Sequence, residues 1–183
     1  MERVDTVVFI HDNGNIHVLS ATRCGHTSMF KYFGFASSIT GFTGGGQNPE
    51  DVPSRWYNWI ESETRRILVL RNPIDRWKSA EVFTGFLKHL EPSNGMDKDT
   101  FMRVHREPFL IDIPRYIDIE IIPFENLSDY LPLARGTIVS NSNNIHRSVI
   151  EMTPTLREEY NQYRYFRKNC KVISPEEWKE LTP

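Results

Sequence analysis

The 183-residue chain is defined first by what it lacks. No apolar run approaches the roughly 20 residues that a membrane-spanning helix needs. There are only two cysteines, Cys24 and Cys170. They show no metal-ligand spacing, and too few thiols are present for a disulfide framework, so a reducing cytosol is the expected compartment. The formal net charge is −2, without the basic excess of a general nucleic-acid binder, so any anion site must be local. Internal repeats and low-complexity segments are absent. The opening MERVDTVVFI carries charges and passes directly into a strand pattern, which is not the pattern of a secretory signal. Length and ordinary composition point to one domain spanning 1–183 with a substantial core.

What is present centres on Ile16 to Tyr32, IHVLSATRCGHTSMFKY. Ile16 to Leu19 is an apolar run of the kind that forms a buried strand. Ser20 to Gly25 breaks it. From His26 the pattern turns helical, with Met29, Phe30 and Phe33 on one face. A strand that enters a tight loop and then a helix presents unpaired backbone N–H groups and the positive end of the helix dipole, which suits an anion. Gly25 is expected to let the backbone approach the ligand. Arg23 adds charge, and Thr27 and Ser28 add hydroxyl donors. Cys24, in this positive setting, is expected to have a lowered pKa while taking no part in chemistry. The loop is not the Walker pattern G-x-x-x-x-G-K-[ST].

A second segment repeats the arrangement. Ile67 to Leu70 reads as a central strand buried on both faces. Arg71-Asn72-Pro73-Ile74-Asp75-Arg76-Trp77-Lys78-Ser79 follows. Asn72 is placed to cap a helix, Pro73 fits its first position, and Asp75 sits where a capping side chain reaches back. Ser79 falls two turns in, on the face of Asn72 and Arg76. Arg71 and Ser79 are therefore placed to converge on one anion, with the arginine supplying a bidentate fork.

Thr22 to Ser28 resembles the 5′-phosphosulfate loop P-K-x-G-[ST]-T-[ST] of sulfotransferases that use 3′-phosphoadenosine 5′-phosphosulfate (PAPS). It departs at Thr22 for proline, Arg23 for lysine and His26 for a small hydroxyl residue. Arg71 to Ser79 resembles that family's 3′-phosphate motif R-[ND]-P-x-[DE]-R-x-x-S at nearly every defining position, and the two motifs occur in the family's order. The H-x-x-P at His105 to Pro108, an aliphatic strand over Ile117 to Ile122, and Phe124-Glu125-Asn126-Leu127 are similar to the carbohydrate (family-2) branch. The resemblance spans about residues 16–166. It implies an α/β, three-layer, P-loop-like domain with a mostly parallel central sheet flanked by helices. It also implies sulfuryl transfer from PAPS to a hydroxyl or amine on a carbohydrate or small molecule, with no metal. Arg23, Cys24, Gly25, His26, Thr27, Ser28, Arg71 and Ser79 would hold the nucleotide. Arg23 would also act in catalysis, with His105 as general base; His26, Glu50 and Asp51 are the alternatives. Competing readings are a nucleotide or phosphate-ester kinase with an irregular P-loop, which would need an acidic metal ligand where Arg71 stands, and a non-catalytic nucleotide-binding relative.

Elsewhere, Val4 to Ile10 reads as a strand, with Val7 to Ile10 paired antiparallel with Ile16 to Leu19 through an Asn13-Gly14 turn. Residues 34–53 read as loop, and Ser54 to Thr64 as a short helix. The helix after Arg71 is expected to run to Leu90, and another to cover Thr100 to His105. Ser128 to Leu131 reads as a short helix. Thr153-Pro154 starts the last long helix, with Leu156, Tyr160, Tyr163 and Phe166 inward, and Ser174 caps a final one.

Overall fold

The structure is a computed structural model, and it describes residues 8–21, 23–33, 38–41, 62–86, 108–131 and 149–183. Its centre is a five-stranded sheet in the order β3-β1-β2-β4-β5. The strands are β1 (Val8–Asp12), β2 (Ile16–Ala21), β3 (Ser38–Gly41), β4 (Arg65–Leu70) and β5 (Glu120–Pro123). β1 pairs antiparallel with β2 and β3, whereas β2–β4 and β4–β5 are parallel. The sheet is therefore mixed, yet every strand but β1 points the same way, as the expectation of a mostly parallel sheet requires. Helices α1 (His26–Phe33), α2 (Pro73–Phe86), α3 (Leu127–Tyr130), α4 (Pro154–Asn169) and α5 (Pro175–Leu181), with 3-10 turns at Leu110–Asp112 and Phe124–Asn126, complete the described fold.

Alternation along the strands divides the core. Leu19, Ala21, Leu68, Leu70 and Ile121 pack with Phe109, Leu110, Ile113 and Phe166 of α4. Ile16, Val18, Ile67, Val69 and Ile122 pack with Met29 of α1, Leu127 and Tyr130 of α3, and Trp178 of α5. The continuous apolar run Ile67–Leu70 is required because both faces of β4 are covered; all four side chains are at most 1% exposed.

The hairpin forms where Asn-Gly directs it, with a different register. Ile10 faces Leu19 and Asp12 faces His17, so β1 runs two residues further than the pattern indicates. Side chains build the turn: Asp12 Oδ1 accepts from Gly14 N–H at 2.7 Å, and Asn13 Oδ1 accepts from Asn15 and Ile16 N–H, both at 3.0 Å. Gly14 takes the left-handed φ of 87°. The largest departure is β3, a strand within the stretch read as loop. Its four residues carry a single aliphatic side chain, Ile39, and its pairing with β1 comes from the sheet edge rather than from local pattern. The strand read over Ile117–Ile122 begins only at Glu120, and α3 is shifted by one residue. Ser62–Thr64 is not helical. Residues 54–61, 87–107 and 132–148, with the segments predicted there, lie outside the described residues. Both predicted caps form: Thr153 Oγ1 accepts from Leu156 N–H at 3.2 Å, and Ser174 Oγ from Glu177 N–H at 3.1 Å.

Among the described residues, no helix is long and apolar enough to cross a membrane.

Candidate functional site

β2 and β4 are parallel neighbours, so the chain leaves both at the same edge of the sheet. Open α/β sheets place ligands at such carboxyl ends. After β2, Cys24 N–H donates to Ala21 C=O at 2.9 Å and closes a tight turn. Arg23 adopts φ 62° and Gly25 φ 81°. The left-handed conformation is disfavoured for an arginine, so surrounding contacts must hold it. Met29 N–H then donates to Gly25 C=O at 3.0 Å, and α1 begins. Its first N–H groups lack intrahelical acceptors. Thr27 is exposed and Ser28 is buried.

Packing also requires the glycine. A Cβ on Gly25 would stand 2.5 Å from Leu127 Cδ2 and 3.6 Å from Phe124 Cε2. The missing side chain lets the loop sit on the segment that follows β5. Cys24 departs from expectation. It lies in the core, fully buried, and burial pushes its thiol pKa up although Arg76 and Arg71 oppose the shift. The lowered pKa expected from local charge is corrected: desolvation outweighs the neighbouring cations.

After β4, Asn72 caps α2 as expected, its Oδ1 accepting from Ile74 N–H at 2.9 Å. Ser79, two turns in, is 3% exposed. The two motifs meet here. Arg23 Nε donates to Ser79 Oγ at 3.2 Å across 56 residues of sequence. Arg71 Nη1 donates to the carbonyl oxygen of Arg23. The Arg71 guanidinium carbon lies 4.2 Å from the centroid of the Phe124 ring.

The electrostatics are those of partly desolvated cations held together. Burial, and next the proximity of Arg71, pull the Arg23 pKa down to about 10. Burial also lowers Arg71, with Asp75 acting in the other direction. Arg76, placed by sequence on the same helix face as Ser79, is 1% exposed and lies 5.2 Å over the Phe109 ring. Its charge lowers the pKa of Glu159, whose carboxyl is pushed up chiefly by burial. Glu159 is fully buried on α4 and accepts from the N–H groups of Phe109, Leu110 and Ile111 at 3.2, 3.1 and 3.3 Å. Sequence reasoning missed Glu159. Its signal was a carboxylate three residues after Leu156 and seven before Phe166, on the face those residues bury. Tyr160 and Tyr163, expected inward, are half-buried, and Glu159 and Gln162 take the inward positions.

The structure thus brings together Arg23, Gly25, Arg71 and Ser79, with Cys24 turned inward. His105, Glu50 and Asp51 lie outside the described residues, as does the side chain of His26. Among the described residues, no group of three His, Cys, Asp or Glu side chains is arranged to hold a metal. Arg71 stands where the kinase reading needs an acidic ligand. The chain matches no protein-family model, no curated protein and no solved structure.

Proposed function

We propose that this protein is a sulfotransferase that moves a sulfuryl group from PAPS to a hydroxyl or amine on a carbohydrate or small molecule, on a P-loop-like, three-layer domain. One observation carries the reading: two arginines and a buried serine, drawn from separate strand–loop–helix units, meet at the carboxyl edge of a mostly parallel sheet. Partly desolvated neighbouring cations are unfavourable by themselves and favourable around an anion. In this reading the 25–28 backbone amides with Thr27 and Ser28 receive the 5′-phosphosulfate, and Arg71 and Ser79 receive the 3′-phosphate.

The acceptor atom attacks sulfur in line with the bridging S–O bond. That bond breaks, its electron pair passes to the 5′-phosphate oxygen of adenosine 3′,5′-bisphosphate, and the acceptor proton passes to a base, assigned to His105. The protein's task is orientation and neutralisation of charge on the leaving oxygen. Arg23 supplies that charge, and as an arginine it stabilises the leaving group without protonating it. Thermal denaturation with adenosine 3′,5′-bisphosphate and with ATP–Mg²⁺ tests the proposal. The bisphosphate is expected to raise Tm far more than ATP–Mg²⁺. Equal or greater stabilisation by ATP–Mg²⁺ would favour the kinase reading.

A further inference from the structure

We infer that Phe124 is a positioning residue that fixes the two cationic motifs relative to each other, an inference that builds on the sulfotransferase reading. β4 and β5 are parallel with Leu70 beside Pro123, so the next residues, Arg71 and Phe124, leave the sheet side by side. Pro123 holds φ at −63°, and the chain enters a 3-10 turn at Phe124–Asn126, which sets the ring against the strand ends. One ring then serves both motifs. Its face lies 4.2 Å from the Arg71 guanidinium carbon, and its Cε2 and Cδ2 stand 3.6 and 3.8 Å from where a Cβ of Gly25 would be. Arg71 in turn holds the carbonyl of Arg23, the residue in the left-handed conformation.

With its flat face on Phe124, Arg71 keeps the edges of its guanidinium for hydrogen bonding. The ring therefore sets the plane of that fork and the height of the Arg23–Gly25 turn together. The contribution belongs to the aromatic face, beyond mere volume. Leucine fills much of the same space and offers a cation no negative face.

The experiment compares wild type, Phe124→Leu, Phe124→Tyr, Arg71→Ala and the Phe124→Leu/Arg71→Ala double variant. Amide hydrogen exchange over residues 23–28 is measured in the ligand-free protein, and affinity is measured for adenosine 3′,5′-bisphosphate. Phe124→Leu is expected to speed exchange in this segment selectively and to weaken the bisphosphate by about 2- to 30-fold, the range of a cation–ring contact. Phe124→Tyr should restore both. In the Arg71→Ala background, Phe124→Leu should add little further loss of bisphosphate affinity, because its effect on the 3′-phosphate contact passes through Arg71. Unchanged exchange in Phe124→Leu would overturn the inference. So would equal losses for leucine and tyrosine, or full additivity with Arg71→Ala. A wild type that binds no bisphosphate, yet shows the selective exchange change and its rescue by tyrosine, would sink the sulfotransferase reading and uphold the role of Phe124.

Discussion

At the amino ends of β4 and β5, Arg65 and Lys171 meet Glu120 and Glu177; at the carboxyl ends of β2 and β4, Arg23 meets Arg71. The first group is closed. Arg65 Nη2 donates to Glu120 Oε1 at 2.7 Å and also bonds Glu177, while Lys171 lies 3.1 Å from Glu120 and 3.0 Å from Glu177. Hydrogen bonds from Arg65 hold both carboxyls below their ordinary pKa, and those carboxyls raise Arg65 and Lys171. At the other end, burial lowers both arginines. One sheet thus has an end whose charged forms are stabilised by partners and an end whose charged forms are disfavoured. Charge that only holds the fold together resembles the first. The second is the pattern expected of a site that an anion completes.

The contrast can be broken by substitution, and the largest effect is expected beside the site rather than in it. Glu159→Ala removes the acceptor for three N–H groups and the carboxylate facing Arg76. Leaving buried donors without their acceptor costs about 1–3 kcal/mol each, to be read by chemical denaturation. Arg23→Ala should lower kcat by about 10²–10³-fold, the usual cost of removing one preorganised charge-stabilising donor, and by more than it raises the Kd of PAPS. Steady-state kinetics and direct titration separate the two. Arg65→Ala should cost about 1–2 kcal/mol, because it removes hydrogen bonds to two half-buried carboxylates, and should leave nucleotide affinity unchanged.

The smallest effect concerns protons. Arg23 in the folded protein has a pKa of about 10, below its ordinary value. The unfolded chain therefore holds more protons near and above pH 10, and this cost to folding fades as pH rises through that value. An anion beside Arg23 pushes its pKa back up. Binding of adenosine 3′,5′-bisphosphate should draw as much as about half a proton from solvent onto Arg23 at pH 10 and none at pH 7.5. Calorimetry in buffers of different ionisation enthalpy measures this, and Arg23→Ala should abolish the pH 10 uptake.

Much of the fold was legible because local chemistry dictates it. Asn13-Gly14 turns the hairpin, Ile67–Leu70 marks the central strand, and Thr153-Pro154 and Ser174-Pro175 start their helices. β3 was not, since four residues on a sheet edge form a strand through their partner's hydrogen bonds rather than their own pattern. At the site, the sequence placed Arg71 and Ser79 to converge on one anion, and the structure shows each of them bonded to Arg23. Arg71 and Ser79 were read as neighbours, but the left-handed Arg23 that links them is a backbone fact. Cys24 shows the limit most clearly. Sequence names the charges around it, whereas the direction of its side chain decides that burial wins. Gly25 was read as making room for a ligand; that it also makes room for Leu127 and Phe124, about a hundred residues further along the chain, no local pattern shows.

The central claim, that an anion binds at the carboxyl-end cations while the amino-end cations brace the fold, is tested most directly by a stability cycle. Wild type and Arg71→Ala are denatured with and without saturating adenosine 3′,5′-bisphosphate. Without ligand, Arg71→Ala should be within about 1 kcal/mol of wild type, since relief of the crowding with Arg23 offsets the missing hydrogen bond to the Arg23 carbonyl and the missing stack on Phe124. With ligand, wild type should gain stability that Arg71→Ala largely fails to gain, a difference of about 1.5–3 kcal/mol for one charge-assisted contact. An equal loss with and without the bisphosphate would show that Arg71 braces the fold as Arg65 does, and the claim would fail.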